Sequence, residues 1–148
     1  MNKRNREQKI ECLRKAISNA KEHQQANDPP RIYSQYVRYA IGQFKGLNVA
    51  YTSTEAKDLE RKLVTHEHVV PHNVVMKKLL SLEELTDESI MSVINKYYII
   101  CIITKAEDKL LNAAKLRSKM PKGWNDKTDS VFARYEHEEV NIPFMRVE

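Results

Sequence analysis

The stretch "LVTHEHVVPHN", residues 63–73, decides how the rest of the chain is read. Its first eight residues are rich in β-branched side chains and alternate, so Val64, His66, His68 and Val70 share one face of an expected strand. Pro71 ends that strand, having no amide hydrogen to give a ladder. Of the chain's 5 histidines, His66, His68 and His72 crowd together here, beside Glu67 and Asn73. Nowhere else do several reactive side chains converge.

Working outward, the neighbours read mostly as helices. Residues 2–26 lack Gly and Pro and set Ile10, Leu13, Ile17 and Ala20 on one face, the spacing of an amphipathic helix. Pro29 and Pro30 stop it. A second helix is expected over 32–44, before Gly46, with Tyr33, Tyr36, Tyr39 and Phe44 along it. Tyrosines beside Arg31, Arg38 and Lys45 could stack on nucleic acid, although helical spacing favours packing with a wet hydroxyl. The caps and helix formers of "TSTEAKDLERKL" predict a short third helix over 55–63.

Beyond Pro71, "NVVMKKLLSL" and "TDESIMSVINKYY" read as helices, the latter capped by Thr86. "YYIICIIT", residues 97–104, is a short apolar run of strand length, and "KAEDKLLNAAKL" follows as a helix. The tail carries a short helical "DSVFARYEHEE", with Trp124 before it as a packing anchor. The expected fold class is α+β and predominantly helical, a short two-stranded sheet surrounded by helices. One domain spans 1–148, divided into a basic helical part over 1–62 and a second part over 63–148.

Bulk properties narrow the function classes. A chain of 148 residues buries roughly two-thirds of its unfolded surface. No apolar run nears the ~20 residues of a membrane span, so no membrane partner is expected. The charged opening "MNKRNREQKIECLRKAI" lacks the apolar core of a secretory signal. Cys12 and Cys101 stand far apart in apolar settings and read as buried thiols of a reducing compartment, which predicts a cytoplasmic protein. Residues 1–62 hold 13 Lys/Arg against 7 Asp/Glu, while 63–148 hold 12 against 13. The basic half suits a phosphate backbone or a solvated helix surface.

Three readings of the histidine cluster remain open at this level. His66 and His68 form an H-x-H pair able to bind zinc, but no cysteine pair completes a closed site, so zinc fits less well. The histidines could instead be surface or packing residues. The third reading is catalytic and rests on order along the chain: an acidic residue and His in one strand, a second strand, then a polar helix.

That order resembles the HNH-type nucleases, the ββα-metal or His-Me finger family. "EHVVP" is similar to the family's acidic-His pair followed by Pro, with Glu in place of the usual Asp. "IICIITKAEDKLLN" resembles its second strand and helix, so the likeness covers residues 65–112, with a long helical insertion between the strands. It implies a ββα-metal-like strand-strand-helix element in 63–148 and hydrolysis of nucleic-acid phosphodiesters, DNA or RNA. His68 would be the base activating water, and Glu67 and Asp108 the hard oxygen donors for Mg2+ or Mn2+. His66, Asn73, Glu107 and Asn112 are further candidates. Arg134 and Lys105 would clamp the phosphate, with Arg31 and Arg38 holding the backbone.

Structural roles compete for several of these residues. "TKAE" is a capping box that occupies Glu107. Asn73 suits a helix N-terminus, and Arg134 suits a surface pair with Glu136 or Glu138. A regulatory or inhibitor protein that binds nucleic acid or a protein partner, without catalysis, is the rival class.

Overall fold

The computed structural model describes residues 4–45 and 49–147. Helix α1 (Arg6–Gln25) begins where the Asn5 side chain accepts from the Gln8 amide at 2.8 Å and the Gln8 side chain accepts from the Asn5 amide at 2.9 Å. The expected stripe of Ile10, Leu13, Ile17 and Ala20 is buried. A 3-10 turn at Pro30–Ile32 leads into α2 (Ser34–Gly42), which buries Val37, Ala40 and Ile41. The expected stop at Gly46 lies outside the described residues. Strand β1 (Val49–Ser53) follows.

No third helix forms over 55–63. The chain turns there and makes one 3-10 turn, Arg61–Leu63. Its helix formers have no apolar stripe to bury, since only Ala56 of the segment is covered. Propensity alone does not hold so short a helix in water. The Ser53 hydroxyl instead accepts from the Ala56 amide at 3.1 Å, closing a turn.

Strand β2 (Val64–His68) is followed by α3 (His72–Leu80), α4 (Asp87–Tyr97), β3 (Ile100–Thr104) and α5 (Lys105–Ala113). Thr86 caps α4 by accepting from the Ser89 amide at 3.0 Å. The tail forms a single helical turn, α6 (Ala133–Glu136), and a three-residue strand, β4 (Phe144–Arg146).

The class is α+β, but the sheet has four strands where two were expected, in the order β2-β3-β1-β4. β2 and β4 run antiparallel to their neighbours, and β1 runs parallel to β3. The 1–62 part therefore supplies an inner strand as well as helices. Two cores flank the sheet. α1 to α4 bury the larger one with Ile100, while Cys101, Ile103, Leu111, Phe132 and Tyr135 build the smaller. Cys101 is buried and Cys12 half-buried, both free thiols, and burial pushes the Cys101 thiol up to about 12. Among the described residues no helix is long and apolar enough to cross a membrane.

Candidate active site

Alternation along β2 governs the site. Glu67 pairs with Cys101 and His68 with Ile100, and those two β3 residues belong to the cores on opposite sides of the sheet. Glu67 and His68 therefore leave the strand on opposite faces. They still meet one cavity, because β2 is an edge strand and the cleft wraps around it.

On the smaller-core side, Arg134 donates from Nη2 to both carboxylate oxygens of Glu67, at 3.0 and 2.9 Å. Tyr135 donates its hydroxyl to Oε1 of Glu67 at 2.6 Å. Arg134 is fully buried and also donates to the Leu116 carbonyl at 2.8 Å and the Val69 carbonyl at 3.0 Å, and to the His68 carbonyl. This cation belongs to the fold: it makes neither the phosphate clamp nor the surface pair with Glu136 or Glu138 that the sequence suggested. Burial raises the Glu67 pKa, Arg134 and Tyr135 oppose the rise, and the nearby Asp108 charge adds to it. Burial also raises the Tyr135 hydroxyl, so it stays a donor.

On the other face the His68 ring stacks on Tyr98, centroids 5.4 Å apart, and meets His72 edge-on at 5.5 Å. Among the described residues the buried Nδ1 atoms of His68 and His72 have no hydrogen-bond partner. Burial lowers the His68 pKa, and the Lys45, Arg38 and Arg134 charges lower it further. Burial, then His68 and Arg38, take His72 down to about 4. Both imidazoles are neutral at pH 7.

The shared cleft encloses about 690 Å³. Its walls include Glu67, His68, His66, Asn73 and Asp108 from the expected set, with Arg38. Lys45, His72, Tyr98, Arg117 and Ser118 also line it. Asn73 is the second residue of α3 and makes no cap hydrogen bond there. Asp108 is half-buried in the first turn of α5, and its carboxylate makes no hydrogen bond or ion pair with another described residue.

The remaining candidates lie elsewhere. Glu107 is buried as the cap of α5: its Oε1 accepts from the Thr104 amide at 2.9 Å and from the Ser53 hydroxyl at 2.6 Å. Lys105, Asn112 and Arg31 are exposed and do not line the cleft. Tyr33 is buried, whereas Tyr36 and Tyr39 are 68% and 82% exposed on α2, so core packing accounts for one tyrosine of the three.

Sequence reasoning singled out neither Arg117 nor Tyr98, and used Lys45 only as a neighbour of the tyrosines. A basic residue isolated in a loop carries no periodic signal. His72 stood inside the quoted motif, and its place beside His68 was detectable only as crowding.

Among the described residues no group of three or more His, Cys, Asp or Glu side chains is arranged to hold a metal ion. Compared with protein-family models, curated proteins and solved structures, the chain matches none.

Proposed function

We propose that the protein hydrolyses nucleic-acid phosphodiesters as an HNH-like nuclease, with His68 as the base that activates water. The observation that carries this reading is a neutral imidazole in a cleft whose walls bring three cations, Arg38, Lys45 and Arg117. A neutral ring can take a proton, and fixed positive charge favours an anionic phosphate and the further charge of its transition state. In the step, a water oxygen attacks phosphorus, its proton passes to a ring nitrogen of His68, and the P–O bond to the leaving oxygen breaks. The antiparallel β2–β3 pair running straight into α5 supports the family likeness.

The donor chemistry fits a hard divalent ion. Glu67 and Asp108 line one cleft and repel each other, which a cation relieves, and Mg2+ needs only one or two carboxylates because it retains water. Mg2+ or Mn2+ would be held by those two residues and would supply Lewis-acid stabilisation of the phosphate charge. Arg134 and Tyr135 orient the Glu67 carboxylate, a positioning role.

The test is a plasmid and single-stranded-RNA cleavage assay with Mg2+, Mn2+ or EDTA, beside His68→Ala. The expected result is metal-dependent product that the variant loses by about 100-fold or more while remaining folded. Equal cleavage by the variant would overturn the role of His68.

A second reading is favoured by one observation. Glu67 is already neutralised by Arg134, which leaves the cleft's cations suited to a regulatory protein that binds nucleic acid without turnover. It predicts salt-dependent binding, insensitive to EDTA, with no products.

A further inference from the structure

A hollow of about 1250 Å³ lies over the sheet and does not contain His68. Its floor is one cross-strand row. His66 pairs with Ile102, Ile102 with Thr52, and Thr52 with Met145, so the row runs from β2 through β3 and β1 to β4. All four residues line the groove. At the usual strand spacing the row is about 14 Å long.

Its charge is one-sided. Lys57, Arg61, Lys62 and Arg146 line the groove against Asp58 alone. The exposed Lys62–Glu60 pair, at 3.4 Å, is too solvated to neutralise the rim. Thr65 and His66 line both this groove and the His68 cleft. The two hollows therefore adjoin at the edge of β2.

We infer that the open sheet face is the extended binding path for a single-stranded nucleic acid whose scissile phosphate lies in the His68 cleft. This rests on the nuclease reading for the position of the scissile bond. Four cations beside a floor holding Ile102 and Met145 match a strand that offers phosphates to the rim and base faces to those two side chains. The floor row offers the bases the apolar side chains of Ile102 and Met145 and the imidazole of His66. The path is a narrow track around a strand edge, which a flexible single strand follows more readily than a stiff duplex.

The test measures binding of fluorescein-labelled 20-mer single-stranded RNA, single-stranded DNA and duplex DNA by anisotropy, in EDTA so that no chemistry intervenes. The full-length protein is compared with Arg61→Ala/Lys62→Ala/Arg146→Ala. These residues are exposed, and an unchanged melting temperature checks the fold.

The expected result is single-strand binding about 10-fold weaker in the variant, with a log-log salt slope reduced by about 2–3. Equal affinity and an unchanged slope would overturn the inference. So would duplex bound as tightly as single strand and weakened equally by the variant. RNA and DNA arms that behave alike support a path that reads only the phosphate backbone, and a loss confined to one arm supports a path that also reads the sugar. Cleavage is scored separately on His68→Ala, so a wild-type protein that binds along the groove without cutting refutes the nuclease reading and keeps the path.

Discussion

Arg134 and Glu67 stand 67 residues apart in the chain and meet across the edge of the sheet at 2.9 Å. The guanidinium is wholly buried and the carboxylate side chain is 13% exposed. A bond between the tail and β2 thus fixes the backbone at the candidate base, because the same guanidinium also donates to the His68 carbonyl.

Removing one partner of this pair strands the other. Arg134→Ala is expected to lose about 3–5 kcal/mol in urea unfolding, because the Glu67 charge would stay buried without its cation. A loss below about 0.5 kcal/mol would show that the pair contributes little to the fold.

His72 makes stability depend on pH. An unfolded histidine takes up its proton near its ordinary value of 6.5, whereas folded His72 does so at about 4. Between those values the unfolded chain binds more protons, so stability is fully present above pH 6.5 and is lost as pH falls through about 4. His68, also lowered, acts in the same direction. Urea midpoints measured down this range should fall, and His72→Leu should flatten the slope. A midpoint that rises on acidification would contradict the buried neutral ring.

Glu107 serves the fold. Glu107→Ala removes the side-chain half of the capping box of α5 and leaves the Thr104 amide and the buried Ser53 hydroxyl without their acceptor, at an expected cost of about 1–3 kcal/mol by thermal or urea melting. Glu107→Gln keeps an acceptor oxygen in place and should cost less. Equal losses in the two variants would show that the charge, and not the hydrogen bonding, is what matters.

Local pattern carried much of this protein. The stripe from Ile10 to Ala20, the Thr86 cap and the Thr104–Glu107 box are all interactions within four residues, or a periodicity that one helix displays by itself. The same holds for the alternation of β2 and the apolar run of β3. Residues 55–63 show where local pattern misleads: they carry helix formers but no face to bury.

What lay beyond local pattern was long-range pairing. β4 has only three residues and acquires strand identity from Ser53, Thr52 and Tyr51 alone. The cleft draws Arg38, His68, Asp108 and Arg117 from four separated segments. Sequence determined most of the helices and the two strands β2 and β3, since those choices are settled among near neighbours. Tertiary structure decided that the sheet has four strands and that Arg134 of α6 is buried against its edge. It also decided that Glu67 and His68 reach one cleft from opposite faces. Strand pairing and the burial of a charge depend on partners that folding alone brings within reach.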